Sequence, residues 1–319
     1  MKINLLKPSM FDEPCKKKSG IFISILKSIL LLAIFESIAS IILTPFQLFY
    51  FFAKFDMENY SGNPDDIIQF FYNLPPWMTL LNLFLTIILI FAVIICRKKI
   101  ENGTFFSLGL TKNNFIKDYS IGIIIGLVVF SSAVLINIFT KGLSYCGTGD
   151  LTIFNIIYIT LFFLGYLFQG LSEELLCRGF LMTAIGRRYN ILLAIIINSI
   201  FFAVLHLLNP GISILAFINL FLFGVLASLI VIKTNSIWMA AAVHSIWNFV
   251  QGNIYGISVS GMGPTPTIFK MNLTDNTIWN GGSFGAEGGL GVTIVLVIAI
   301  IIFGLLCLKN SLNNKNPSD

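Results

Sequence analysis

An all-α polytopic membrane protein is the fold class this sequence predicts, and three observations predict it. Of its 319 residues 56% are hydrophobic and only 11% charged, and the mean hydropathy is +0.88, which excludes a soluble domain. Uncharged apolar stretches long enough to cross about 30 Å of hydrocarbon recur along nearly the whole length. The basic residues gather in the short segments between these stretches. The net charge of +5 therefore describes membrane orientation and gives no nucleic-acid-binding patch.

About eight transmembrane spans follow from length and apolarity. They are expected at 21–53, 76–96, 119–139, 152–186, 191–208, 212–232, 236–252 and 288–308. The first follows Lys16–Lys18 without a small-residue cleavage site, so it reads as a retained helix and not a removed signal. It is longer than a bilayer requires and is expected to bend near Pro45. The fourth is also long and is expected to tilt or break near Gly170. The Arg187–Asn190 turn makes the fourth and fifth spans a helical hairpin. Segment 253–287, rich in Gly, Thr, Asn and Ser and ending GGSFGAEGG, reads as glycine turns before the last span, with a lid over a site as the alternative. Three regions result: helices 1–3 with their loops in 1–149, a core in 150–252, and 253–319 with the outer loop, last helix and tail.

Orientation follows from lysine and arginine placement. With the N-terminus inside, the cytoplasmic segments hold fifteen basic residues: Lys2, Lys7, Lys16, Lys17, Lys18, Arg97, Lys98, Lys99, Lys112, Lys117, Arg187, Arg188, Lys233, Lys309 and Lys315. The outer loops hold three, Lys54, Lys141 and Lys270, with Lys27 and Arg178 intramembrane. The outer segment 54–75 is acidic, with Asp56, Glu58, Asp65 and Asp66. Both termini are thus expected in the cytoplasm. Five scattered cysteines (15, 96, 146, 177 and 307) contain no CxxC pair and imply no disulfide framework.

Against this apolar background the stretch Ser172–Phe180, SEELLCRGF, places two carboxylates and an arginine. Ionisable groups inside a membrane are costly and read as functional. Glu174 and Arg178, four apart, stack on one helix face and can pair, leaving Glu173 to face elsewhere. The competing reading is a surface helix start with Ser172 as N-cap. Depth decides between them. Glu173 and His206 lie at similar distances from the hairpin turn, each about 25 Å along its helix at about 1.5 Å per residue. Antiparallel neighbours then bring them to one level.

The chain's two histidines, His206 and His244, both fall in apolar spans. Asn198, Phe202 and His206 share one helix face, where the Phe202 ring would wall the imidazole. His244 and Asn248 share another face and can donate hydrogen bonds to one point, as a developing oxyanion requires. Ordinary interhelical tethering is the alternative for each. Glu36 can pair with Lys27 or face a cavity, whereas Asn82, Asn137, Asn155 and Asn219 are expected as helix–helix contacts.

EExxxR (Glu173, Glu174, Arg178), FxxxH (Phe202, His206) and HxxxN (His244, Asn248), in this order on consecutive apolar segments, resemble the CPBP family of CAAX prenyl endopeptidases, abortive-infection proteins and bacteriocin-processing or self-immunity proteins. The resemblance covers about residues 150–252; Cys177 stands where an aromatic residue is more usual and is expected to alter packing only. It implies an intramembrane endopeptidase with a polar site between spans four, five and seven. Glu173 would activate water assisted by His206, with His244 and Asn248 as the oxyanion site and Glu174–Arg178 as support. The family is commonly called metalloprotease, and Glu173, His206 and His244 could supply three zinc ligands. The oxyanion role of Asn248 favours a metal-free mechanism, so no cofactor is favoured. Expected partners are the lipid bilayer and a peptide or membrane-protein substrate, in the plasma membrane of a bacterium. A non-catalytic self-immunity or peptide-sequestering protein is the alternative. A proton-relaying transporter would show repeated halves, and none is visible.

Overall fold

A computed structural model of the chain describes residues 7–13, 15, 19–57, 60 and 62–313. Lys2, Lys16, Lys17, Lys18, Glu58 and Lys315 lie outside the described residues. The helices are α1 (Ile21–Lys54), α2 (Pro64–Tyr72), α3 (Pro76–Leu85), α4 (Ile87–Ile95), α5 (Phe115–Phe139), α6 (Ile153–Glu174), α7 (Thr183–Gly186), α8 (Ile191–Leu205), α9 (Ile214–Thr234), α10 (Trp238–Phe249), α11 (Thr277–Asn280) and α12 (Leu290–Asn313). Among the described residues six helical runs are long and apolar enough to cross a membrane: Ile21–Lys54, Pro76–Ile100, Phe115–Phe139, Ile153–Gly186, Ile214–Thr234 and Leu290–Leu312. The chain is thus an all-α polytopic membrane protein. The remaining two expected spans correspond to the shorter α8, which keeps Leu192, Ile196, Ile200 and Val204 exposed on one face, and α10, which is buried against its neighbours.

Three runs end in, or pass through, wider π-helical turns: Cys96–Ile100, Leu175–Met182 and Val250–Ile254. The break expected in the fourth span near Gly170 is instead this widening, beginning at Leu175. α1 runs unbroken through Pro45. A wide turn loosens the backbone hydrogen-bond ladder, and here Arg97 compensates. Its Nη2 donates to the carbonyls of Gly179 (3.3 Å) and Phe180 (3.0 Å) and to Thr183 Oγ1 (2.8 Å). Arg97, expected as a loop charge, is fully buried. Glu101 balances it at 2.6 Å and also pairs with Lys27 at 2.7 Å. Lys27 is therefore anchored at the helix ends and is not the partner of Glu36.

α10 packs between α5 and α6. Gly122 and Gly126 of α5 meet Met239 and Val243, where an added Cβ would collide with backbone carbonyls, and Gly170 meets the Ser245 backbone in the same way. Small residues let helix backbones approach closely in membranes, and here they grip α10 from two sides.

The helix ends divide between two sides. One side holds 97–118, 183–190 and 233–238, stitched by Arg187 Nη2 to Ser107 O (3.2 Å) and Met10 N to Asn235 Oδ1 (3.0 Å). The other holds α2, the turn 206–213 and the long segment 255–289. An antiparallel ribbon not expected from the sequence also lies there. It pairs β1 (Leu143–Thr148) with β2 (Phe269–Leu273), with Leu143 opposite Leu273.

Candidate active site

The end of α6 carries both glutamates, and the structure separates them as their positions predict. Glu174 is fully buried and accepts from Arg178 Nη1 at 2.8 Å. The Arg178 guanidinium also lies 4.7 Å from the centroid of the Phe202 ring, a cation–π contact. Glu173 keeps a quarter of its side chain exposed, and it faces a cavity.

His244 stands between the two acids. Its Nδ1 is 2.9 Å from Glu174 Oε1, and its Nε2 is 3.8 Å from Glu173 Oε2. An ionised carboxylate only accepts hydrogen bonds, so Glu174 fixes Nδ1 as a protonated nitrogen and turns Nε2 towards Glu173. Phe202 and Phe223 pack edge-on against the His244 ring, with centroids 5.8 and 5.0 Å away.

His206 follows the last residue of α8 and holds Phe202 O with Nδ1 at 2.9 Å. That bond aims Nε2 away from the helix. The Phe202 ring walls it at 4.8 Å between centroids, as the four-residue spacing predicts. Asn198, on the same face, is instead a tether: its Nδ2 donates to Ala194 O, Ile195 O and Ser228 Oγ.

Glu173, Phe202, His206, His244 and Asn248 line one cavity of about 120 Å³. At about 30 Å³ per water this is room for about four water molecules.

Gln169 and Glu287 are among the lining residues not singled out from sequence. Gln169, one turn before Glu173, donates to Glu173 Oε1 at 2.5 Å and accepts from Asn248 Nδ2 at 2.9 Å. An amide bridge therefore joins Asn248 to Glu173. The signal was present in the four-residue spacing Gln169–Glu173, which puts both on one face. Glu287, in the Gly-rich stretch taken for simple turns, accepts from Trp247 Nε1 (3.1 Å) and from Ser260 N and Oγ (2.8 Å each). Burial pushes the Glu287 carboxyl above its ordinary range despite the Ser260 hydrogen bonds. No local pattern announces this, because its partners are distant in sequence.

The other polar expectations resolve singly. Asn219 ties α9 to the roof by donating to Glu287 O and Gly289 O, and accepts from Thr293 Oγ1 on α12. Asn155 is half-buried and donates to Asp150 O at a helix start, a local bond and not an interhelical one. Asn82 lines a second, larger cavity.

A zinc site asks three protein ligands to converge. Among the described residues no group of three or more His, Cys, Asp or Glu side chains gathers closely enough to hold a metal. Glu173 and His244 face each other, and both histidines, held at Nδ1 by Phe202 O and Glu174, keep Nε2 free, but His206 does not join the other two in a close cluster. Glu173, His206 and His244 do not fit a three-ligand centre as they stand.

Residues 155–250 match the family model described as Rce1-like, type II CAAX prenyl endopeptidase. No significant match was found among curated proteins.

Proposed function

We propose that this chain, whose residues 155–250 match the Rce1-like model of type II CAAX prenyl endopeptidases, hydrolyses peptide bonds within the membrane with Glu173 as general base. The observation that carries this is the convergence of Glu173, His206, His244 and Asn248 on one water-sized cavity.

Glu173 Oε2 takes a proton from water as the water oxygen bonds to the scissile carbonyl carbon. His206, which lines the same cavity, orients that water through Nε2. The carbonyl oxygen becomes an oxyanion, which the amide of Asn248 receives along with His244 Nε2–H in its imidazolium form. Two carboxylates flank that imidazolium, so its positive charge has partners on both sides. Glu173 then returns its proton to the leaving nitrogen, the C–N bond breaks to give a carboxylic acid and an amine, and the acid's proton passes to the amine. Glu174 and Arg178 do not touch substrate; they hold His244 in orientation. Gln169 holds Glu173 and Asn248 in register.

The regions 1–149 and 253–319 supply walls and a roof to the core at 150–252. Both termini lie in the cytoplasm of a bacterial plasma membrane in this reading, and the substrate is a peptide or membrane-anchored protein. The deciding experiment compares cleavage of a peptide library by the purified wild type and a Glu173→Ala variant in liposomes. Equal activity in both would sink the mechanism, and no cleavage by either would favour peptide sequestration.

A further inference from the structure

The catalytic cavity, at about 120 Å³, is too small for a peptide. Sites for drug-sized ligands run to about 300–1,000 Å³. Substrate must therefore reach it from an adjoining space, and the structure contains one. A vestibule of about 870 Å³ shares Asn209, Ser260 and Met262 with the cavity. Its walls are α1, α2 and α3 together with the turns at 209–210 and 260–263.

Chain direction places this vestibule. α8 runs from the Arg187–Asn190 turn towards Asn209, α10 runs from the Lys233 side towards segment 255–289, and α1 runs from the Lys27–Glu101 pair towards α2. Every element bounding the mouth thus lies opposite the side holding Arg97, Lys98, Lys99, Lys112, Arg187 and Arg188. By the positive-inside rule that opposite side is non-cytoplasmic.

We infer that the proteolytic cavity is supplied through this vestibule from the non-cytoplasmic side, and that its occupant is an extended polypeptide segment of the substrate. This rests on the peptidase reading of the same site. The lining chemistry argues for polypeptide. Amides of Gln47, Gln69 and Asn82 alternate with apolar Leu43, Phe71 and Met78. Amides can answer peptide N–H and C=O groups, which an acyl chain lacks. The vestibule is also continuous with the reacting groups, as a substrate path must be. Nearly all its walls fall outside the family match at 155–250.

Thiol labelling tests this on the full chain in intact cells. Native Cys146, exposed on β1, reports one side, and a Lys112→Cys variant reports the other. Thr79→Cys reports the vestibule, with Asn82→Cys as a second position should the first fold poorly. A membrane-impermeant maleimide is expected to modify Cys146 and T79C from outside, and K112C only after permeabilisation. Modified T79C is then expected to cleave a quenched peptide with raised KM and retained kcat, relative to wild type carrying the same label. Labelling of K112C with protection of Cys146 would overturn the orientation. An unchanged KM after T79C modification would overturn the vestibule path and point to a lipid occupant. Absence of cleavage by the wild type would instead remove the peptidase reading, leaving the labelling result standing by itself.

Discussion

His244 Nδ1 and Arg178 Nη1 converge on a single oxygen, Oε1 of Glu174, at 2.9 and 2.8 Å. One buried carboxylate thus orients the site imidazole while neutralising a buried guanidinium. Glu174→Gln leaves Arg178 without a counter-charge and is expected to destabilise the fold by about 3–5 kcal/mol, the usual cost of breaking a buried pair. Thermal melting in detergent measures it. A melting temperature equal to wild type would show that the pair carries no such burden.

Glu173 is expected to behave oppositely. Its side chain is partly exposed to the cavity, so Glu173→Gln should keep the melting temperature. Cleavage should drop by about 10²–10⁴-fold, the span of general acid–base contributions. Initial rates with a quenched peptide report it.

Asn248 is assigned to charge that develops only during reaction. Asn248→Ala should therefore lower kcat by about 10²–10³-fold with little change in KM. A rise in KM with kcat intact would reassign it to ground-state binding.

Glu287 makes stability depend on pH. Burial raises its carboxyl above the unfolded value, which is about 4.3. The folded state thus holds the proton more tightly, and the resulting stability is fully present below the unfolded value. It is lost as pH rises through the folded one. Melting measured from acid towards neutral pH should show that decline in wild type and a flatter profile in Glu287→Gln. Identical slopes would place the titration elsewhere.

Metal dependence is checked directly. Because Glu173, His206 and His244 do not form a three-ligand set, cleavage is expected to survive a zinc chelator. Stoichiometric zinc that disappears in His206→Ala would contradict this.

The sequence made the reacting groups legible because each pair is spaced one helical turn apart on an apolar background. Glu174–Arg178, Phe202–His206 and His244–Asn248 all present on shared faces for that reason. The equal depth of Glu173 and His206 was legible too, since the hairpin turn measures both arms. The features that could not be read depend on contacts remote along the chain. Trp247 and Glu287 are 40 residues apart, and the latter sits among glycines that say only that the chain turns. Arg97 looked like a loop charge because its partners Gly179 and Phe180 are backbone carbonyls, which no side-chain pattern reveals. The vestibule was hidden for a related reason, being enclosed by helices and turns from separate parts of the sequence.

The wide turn at Leu175–Met182 has a consequence for chain length. Regular helix advances by about 100° per residue, and a π-helical turn accommodates an extra residue without rotating the helix beyond it. Removing one residue from 175–182 would let the helix close up regularly and swing Arg178 or the hairpin beyond it off its face. Glu173, His206, His244 and Asn248 would all remain in the sequence, yet the site would come apart. This fully buried stretch should accordingly be intolerant of insertion or deletion, and related chains should keep its residue count.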